Sequence, residues 1–475
     1  MWLIISHLRR TTPSAICYIG ASMLPLFLQR FETLLCVVTC LRLAKETGWY
    51  QRRGKISPFE FLYSLVFGQG SALALTLNAQ AVSLSRTVSR QALDQRFTPA
   101  AVEYFKAAFA TVLQSTLAWK SDSPHARNLQ SQFSAIRIFD STHCACSDSL
   151  AALFPACGGG GGEAGIKVLL GYEYITSQLH PLAVLPGKCT DQGLAEMVCQ
   201  QVQPGELGLL DKGFHKAKGL RGIAARQAYF IIPWSRSVSV WQIDAAGQRQ
   251  PLDLAAELKH TLGSCREWSA IHLGQEPDAQ LGPVRLLAYR LPEENANRRR
   301  ASLREKCRTY GRQPTVAALE LAGWLILITN APATKLPLAT VGYMYRVRWQ
   351  IELVFKQWKS VLRIDVLPSQ NDSRVQCEVW ARLLAALLGF VWHQHLNVAC
   401  LSAHERELSF SKMAKQLQQQ GHSLVRTLFQ DRAGLDSHLR QIWHKLLQLA
   451  RKERQPSRPT TWENLHTHWL DAVIA

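Results

Sequence analysis

The sequence lacks any cysteine arrangement that would build a zinc site or a disulfide framework. Its 12 cysteines are scattered over 475 residues, a length that needs no disulfide scaffold for stability. Cys144 and Cys146, with His143 and Cys157 nearby, do not show the paired cysteine spacing that structural zinc sites favour. We therefore expect reduced thiols in a cytoplasmic protein, and no zinc.

Long uninterrupted apolar runs are also missing. The uncharged stretch from Thr11 to Gln29 follows two arginines, as a signal peptide would, but Pro, Ser and Gly residues dilute it. No small-residue cleavage site follows, and Met23 is an alternative start. The run from Gly158 to Gly162 lacks the Gly-Lys-Ser/Thr ending of a phosphate-binding loop, so a flexible hairpin connection is the better interpretation.

Acidic residues are scarce relative to basic ones. Asp and Glu total 35 against 54 Lys and Arg, which gives a net charge of +19. Such an excess favours a polyanionic partner, usually nucleic acid, although a basic protein without that role and membrane-surface binding stay open on composition alone. Hydrophobic residues make up 47% of the chain, enough for several domains with sizeable cores.

The N-terminal part of the chain, residues 23–130, has a helical pattern. Its segment from Ser85 to Phe97 carries Arg and Gln side chains that suit phosphate and base contacts, and it is a candidate second helix of a DNA-binding bundle. An exposed face of an ordinary helical domain is the alternative interpretation.

From Ser134 onward the pattern predicts three strands, a helix, a strand, a helix and a strand, which is typical of a mixed sheet with helices on its faces. The first strand, Ala135–Phe139, is expected to end at Asp140, and the fourth, Leu207–Leu210, at Asp211. We therefore expect the two carboxylates to converge at one rim of the sheet.

The region from Ser235 to about Gly323 interrupts this pattern with short strand-like pieces and a basic stretch, which we interpret as a mostly β insertion with a basic arm. The basic stretch contains Arg298, Arg299, Arg300, Arg304, Lys306, Arg308 and Arg312. Another strand, Leu325–Thr329, precedes a long helix from near Thr340. The remainder is mainly helical and has a basic tail, Arg451–Pro459.

The segment Tyr345–Lys359 contains no Gly or Pro and is expected to be one helix. At about 100° per residue, its polar groups share a face roughly 80° wide, and its apolar groups take another arc. The polar face holds Tyr345, Arg348, Glu352, Lys356 and Lys359. The alternative interpretation is an ordinary solvent-exposed face, on which Glu352 forms an ion pair with Lys356.

The spacing Tyr345-x2-Arg348-x3-Glu352-x6-Lys359 resembles the Y-R-E-K signature of bacterial insertion-sequence transposases. These form the insertion-sequence-four-like family of DD(E) enzymes. Four residue types at three fixed spacings rarely coincide by chance.

Two further motifs agree with this resemblance. Phe139–Thr142 looks like the family's first acidic motif, and Leu210–Phe214 looks like its second. The resemblance covers roughly residues 134–360.

The resemblance implies an α/β fold: a ribonuclease-H-like mixed sheet core, interrupted by a mostly β insertion domain, with helical N- and C-terminal regions. It implies that Asp140, Asp211 and Glu352 are the catalytic triad and bind two Mg²⁺ ions, for which Mn²⁺ can substitute. The corresponding divisions are 1–130 (DNA-binding), 131–234 (core, first part), 235–323 (insertion), 324–400 (core, second part) and 401–475 (helical C-terminal region).

The resemblance also implies that Tyr345, Arg348 and Lys359 contact DNA, and we expect Lys356 on the same helical face to join them. In some relatives an insertion-domain Trp stacks on a base flipped out of the duplex. Trp324 lies at the matching distance before Glu352, with core packing as its alternative role.

The expected function is therefore metal-dependent cleavage and strand transfer of an insertion sequence, of the cut-and-paste type, in the nucleoid-associated cytoplasm of a bacterium. The expected partners are double-stranded DNA (terminal inverted repeats and target) and a second copy of the chain in a synaptic homodimer, with no membrane. A nuclease of the same fold and an inactive DNA-binding derivative are the alternatives.

Overall fold

The computed structural model describes residues 35–67, 76–117, 131–157, 162–175, 178–275, 280–362, 366–367, 369–404, 408–430, 435–451 and 453. The stretch Thr11–Gln29 with Met23, most of the glycine run and most of the basic tail lie outside these residues. No helix in the described ranges is long and apolar enough to cross a membrane.

The N-terminal region is helical where the structure describes it. Its helices are α1 (Val37–Glu46), α2 (Pro58–Phe67), α3 (Leu77–Ser83), α4 (Arg90–Asp94) and α5 (Pro99–Leu117). The predicted helix over residues 85–97 is much shorter than expected. Ser89 caps α4 by accepting a hydrogen bond from the Ala92 N–H, and the residues before Ser89 are not helical.

A mixed sheet forms the centre of the molecule and confirms the predicted order of strands and helices. Its first strands and helices are β1 (Ile136–Cys146), β2 (Gly165–Glu173), β3 (Gln178–Pro186), α6 (Asp191–Gln200), β4 (Leu207–Leu209), α7 (Ala217–Ala225) and β5 (Tyr229–Pro233). The strand β1 runs straight through Asp140 instead of ending there, because residues 137–145 pair continuously with β2.

The segment between β5 and residue 323 continues the same sheet and also contributes helices. It contains β6 (Val240–Ile243), β7 (Arg249–Pro251), α8 (Leu254–Lys259), β8 (Cys265–Leu273), β9 (Leu281–Arg290), α9 (Glu293–Thr309) and α10 (Val316–Leu321). The basic stretch of the sequence is the helix α9. The strand β10 (Trp324–Thr329) lies between β5 and β9, so these strands join the central sheet edge to edge.

The last part of the chain is helical apart from a short strand. It comprises α11 (Leu338–Arg346), α12 (Trp349–Leu362), β11 (Val366–Leu367), α13 (Asp372–His404), α14 (Phe410–Gln430) and α15 (Leu435–Leu449). The strand order in the sheet is β3-β2-β1-β4-β5-β10-β9-β8-β6-β7, and β11 pairs with the end of β1. The pairs β1–β4, β4–β5 and β1–β11 are parallel.

The single helix predicted over Tyr345–Lys359 is in fact two helices. A turn at Val347 and Arg348 separates α11 from α12, and the N–H groups of these residues donate to carbonyls three residues earlier. Helix propensity gave no sign of this break, because the segment has no Gly or Pro. Tertiary packing decides it: Val347 is fully buried, and Arg348 turns toward carboxylates on the sheet.

Helices cover both faces of the sheet, and successive strand residues point into opposite cores. Ile138 and Leu209 belong to a large core shared with the N-terminal helices and α11 to α13. Their neighbours Phe139 and Leu210 belong to a second core built with α6, α7 and α8. The rim of the sheet between these two helical layers positions the acidic residues.

Candidate active site

The pairing of β1 with β4 brings the first two carboxylates together. The strands are parallel, and their last shared pair is Ile138 with Leu209. Asp140 and Asp211 each lie two residues beyond that pair, so they occupy equivalent places on neighbouring strands. This register brings the two acids to one rim of the sheet, as the sequence predicted. Only Asp211 follows the end of its strand, because Asp140 lies within β1.

The third acid, Glu352, lies in the first turn of α12, and all three acids meet around Arg348. Its guanidinium lies 2.5 Å from Glu352 Oε1, 3.8 Å from Asp211 Oδ1 and 3.9 Å from Asp140 Oδ2. The Glu352 side chain is 40% exposed, so it does not enter the apolar interior. The predicted triad is therefore brought to one place, and Glu352 pairs with Arg348 rather than with Lys356.

Burial sets the charge state of the innermost acid. Burial raises the pKa of Asp140 to about 6, against the opposing effects of the Ser141 N–H, which donates to Oδ1, and the positive charge of Arg348. Burial alone would lower the pKa of Arg348, but Tyr345, Asp211 and Glu352 together raise it above its ordinary value. The arginine therefore stays charged and offsets the negative charge of the acids.

Tyr345 lines the same site. Its hydroxyl donates to the carbonyl of Leu210, at 3.4 Å, and the Arg348 guanidinium lies 5.9 Å from its ring centroid. Burial raises the pKa of the Tyr345 phenol well above its usual range, so the group is a neutral hydrogen-bonding side chain at the mouth of the acidic cluster.

The two predicted lysines are exposed on α12. Lys359 lies close enough to β1 for its charge to act on His143, whose pKa is lowered by burial and by the charges of Lys167 and Lys359. Lys356 is one turn beyond Glu352. Both lysines therefore remain available to an anion that approaches along this helix.

Trp324 is placed differently from what a stacking residue needs. It is 2% exposed at the start of β10, with the Arg290 guanidinium 4.4 Å from its ring centroid and its indole N–H 3.4 Å from Glu320 Oε1. This environment fits core packing, the alternative role. Stacking on a base would require the ring to leave its site.

Trp349 is an exposed tryptophan close to Glu352 in the sequence, and the sequence motifs did not single it out. Trp349 is 58% exposed at the first residue of α12, three positions before Glu352. On a helical wheel Trp349 falls at about 40° from Tyr345, next to the polar face. That position could have identified it from the sequence.

Asp191 is a fourth acidic residue at the site, and its sequence position marked it only as a helix start. Its Oδ1 accepts hydrogen bonds from Ser141 Oγ, at 2.7 Å, and from Lys167 Nζ, at 3.1 Å. A Cβ atom on Gly213 would lie 3.0 Å from the Asp191 side chain. Asp191 therefore contacts the residues that follow Asp140 and Asp211.

The donor set at the site is made of carboxylate oxygens, the ligands that hard divalent cations prefer. In the described residues, no group of three or more His, Cys, Asp or Glu side chains is arranged to hold a metal ion. The acids instead surround the Arg348 guanidinium. The residue types fit divalent cations. In this conformation the Arg348 guanidinium occupies the space among the three acids.

Comparisons with known proteins indicate the class to which the chain belongs. The chain matches the family described as "Transposase DDE domain" over residues 131–388. It is 25% identical to the transposase of insertion sequence element IS231B from Bacillus thuringiensis subsp. berliner, over 89% of this chain and 91% of the relative. It is 30% identical to the putative transposase InsL of element IS186A from Escherichia coli K12, over 48% of this chain and 61% of that protein.

The family match over more than half of the chain, together with the transposases to which the chain is similar, defines an enzyme that acts on DNA. The chain belongs to the DDE transposase family and is a bacterial insertion-sequence transposase. Domains of this family use divalent metal ions.

Proposed function

We propose that this transposase cleaves the ends of its insertion sequence and joins them to target DNA with two Mg²⁺ ions held by Asp140, Asp211 and Glu352. The observation that supports this most is the meeting of three acids from three separate elements within 4 Å of one guanidinium. Clusters of charged groups with shifted pKa values at a partly open site are typical of active sites.

Asp140, Asp211 and Glu352 would supply the oxygen ligands that Mg²⁺ prefers. Two bound Mg²⁺ ions would activate the attacking oxygen and stabilise the leaving oxygen. Mn²⁺ also accepts oxygen ligands and is expected to substitute.

The cationic and aromatic groups of α11 and α12 have the complementary role of holding DNA. Arg348 exchanges its carboxylate contacts for a backbone phosphate, which its planar fork binds through two hydrogen bonds. Lys356 and Lys359 neutralise further phosphates, and Tyr345 orients the strand end. Base stacking by Trp324 is the least supported part of this proposal, because the ring is buried.

The larger architecture that goes with this function is a ribonuclease-H-like core, residues 131–234 and 324–400, interrupted by residues 235–323. Residues 1–130 are proposed to bind the terminal inverted repeats, with a helical region at 401–475. A homodimer would bring two element ends together for a cut-and-paste reaction.

Alanine variants test the triad. Asp140→Ala, Asp211→Ala and Glu352→Ala are each expected to abolish cleavage of a terminal-repeat duplex in Mg²⁺ or Mn²⁺, while binding of the same duplex without divalent ions persists. The control is Asp253→Ala, which removes a capping acid on α8. Normal cleavage by any one of the three triad variants would show that the assignment is wrong.

A strand-transfer assay separates the proposal from its alternatives. A pre-cut duplex with a free 3′-hydroxyl should be joined to target DNA by the wild-type chain. Cleavage without joining would favour a nuclease of the same fold, and binding without either reaction would favour an inactive DNA-binding derivative.

A further inference from the structure

A second group of basic side chains lies at the sheet edge next to Asp211, outside the site described above. The strands β4 and β5 are parallel neighbours, with Leu209 opposite Ile231, so the residues that follow them emerge at the same edge. Lys212 and Arg236 both lie in these following segments. The Trp234 N–H donates to the carbonyl of Ile326, so the chain toward Arg236 passes the start of β10.

The basic helix α9 docks at this edge. The Arg299 guanidinium donates to the carbonyl of Trp324, the first residue of β10, at 3.1 Å. Lys306 follows Arg299 by seven residues and therefore points within about 20° of the same direction. Burial, with the charges of Arg236 and Lys306, lowers the pKa of Lys212. We call Lys212, Arg236 and Lys306 the sheet-edge cation cluster.

The remaining arginines of α9 are largely neutralised on their own helix. Ion pairs join Arg298 to Glu294, Arg300 to Glu293 and Arg308 to Glu305. No ion pair in the described part of the chain involves a member of the sheet-edge cation cluster, and all three members are exposed.

The positive charge of the sheet-edge cation cluster is not balanced by nearby acids among the residues that the structure describes, so the cluster favours an anion from outside the chain. The nearby acid is Asp211, whose Oδ1 already lies 3.8 Å from the Arg348 guanidinium. Three cations held together from three chain segments repel one another, and a bound anion relieves this repulsion. A phosphodiester suits the cluster, because an arginine fork and two ammonium groups offer donors on several sides.

We propose that the sheet-edge cation cluster binds one backbone phosphate of the DNA, a neighbour of the phosphate that is cut at Asp140, Asp211 and Glu352. This inference rests on the proposed function, because it takes those acids as the place of cleavage. Lys212 follows Asp211 directly, so a phosphate on the cluster fixes the strand next to the reacting bond. The helix α9 thereby forms a wall of the DNA-binding groove.

Single charge removals on α9 test this proposal. Lys306→Gln removes a member of the cluster, and Arg304→Gln is the matched control, because it removes the same charge about 200° around the same helix. Binding of a terminal-repeat duplex is measured without divalent ions over a range of salt concentrations. Lys306→Gln is expected to weaken binding about tenfold and to reduce the salt slope by about 1. Arg304→Gln is expected to leave the slope unchanged.

A scan with neutral phosphates then locates the contact. Duplexes that each carry one uncharged methylphosphonate near the cleavage position are bound by the wild-type chain and by both variants. At one position the substitution should weaken wild-type and Arg304→Gln binding about tenfold but weaken Lys306→Gln binding clearly less, because one of the three partners of that phosphate is already gone. Arg236→Gln should show the same coupling at the same position. Additive losses at every position would overturn the proposal.

The two proposals fail in different ways. If Glu352→Ala still cleaves, the triad is wrong even when coupling to Lys306 is found. If cleavage depends on the triad but Lys306→Gln behaves like Arg304→Gln in both experiments, only the sheet-edge assignment is wrong.

Discussion

At the scale of single residues, Arg348 acts as a counter-ion inside the acidic cluster. Its side chain is 16% exposed, and its guanidinium approaches each of the three acids. A buried carboxylate without a compensating charge is costly, so the arginine and the metals that we propose would stabilise the same acids in different states of the protein.

The stability of Arg348→Ala should therefore depend on metal. In EDTA at neutral pH this variant is expected to lose about 1–3 kcal/mol of unfolding free energy, because Asp140 is left without its cation. Mg²⁺ should restore more stability to the variant than it adds to the wild-type chain. Thermal unfolding with and without Mg²⁺ measures this. Equal stability of the two chains in EDTA would contradict it.

A second prediction concerns Asp191, which we regard as a positioning residue. Asp191→Ala removes the hydrogen bonds from Ser141 and Lys167 and loosens the residues beside Asp140 and Asp211. Cleavage turnover is expected to fall about tenfold or more with little change in DNA affinity, because small displacements of reacting groups are costly. Asp191→Asn, which keeps an acceptor for Ser141, should recover part of the turnover.

Single-turnover cleavage and duplex binding, measured on the same samples, separate these two effects. Asp253→Ala is a matched control, since Asp253 also stands at a helix N-terminus but caps α8 with its own side chain. A loss of affinity equal to the loss of turnover would argue against a positioning role.

At the scale of elements, the sequence predicted strands and helices well where periodicity and caps agree. The apolar run before Asp211 predicted a strand over Leu207–Leu210, and the structure has β4 at Leu207–Leu209. The break between α11 and α12 was not predictable, because no residue there disfavours a helix. The continuation of β1 through Asp140 was missed for a related reason, since strand length depends on the partner β2.

His180 in β3 is expected to make the folding stability depend on pH. Burial and the charge of Arg137 lower the pKa of His180 to about 4, and its Nε2 has no hydrogen-bond partner within the described part of the chain. The unfolded chain protonates this group near its ordinary pKa of about 6.5, so the native state binds fewer protons between these values. Stability is full above pH 6.5 and falls by up to about 3 kcal/mol as the pH drops toward 4.

Replacing the imidazole tests this. His180→Leu should retain more stability than the wild-type chain as the pH falls from 6.5 to 4, as measured by denaturant unfolding at each pH. The exposed His260→Leu is the control and should keep the acid-induced loss. Parallel curves for His180→Leu and the wild-type chain would contradict the prediction.

At the scale of the whole molecule, the N-terminal helices are not an independent unit. Leu62 and Phe105 from these helices lie in the same core as Ile138 of the sheet and Leu384 of α13. The sequence predicted a helical DNA-binding region at 1–130, but it could not show that the apolar face of this region is shared with helices that lie far away in the sequence.

We therefore expect one cooperative unfolding transition for the full chain. Helix content by circular dichroism and tryptophan fluorescence should change together with denaturant, because the shared core couples both regions. A chain starting at residue 131 should expose that core and bind a hydrophobic dye. An early, separate loss of helix in the full chain would show that the N-terminal helices fold on their own.

Asp140 and Asp211 lie equally far along the chain from the last residue pair that joins β1 and β4. This equal spacing restricts the insertions and deletions that the gene can accept here. Side chains alternate between the two faces of a strand, so one codon inserted between Leu209 and Asp211 would turn that acid toward the opposite helical layer. We therefore expect a single added or deleted residue in this stretch to impair cleavage as much as the loss of Asp211 would, even though every side chain of the proposed triad is still encoded.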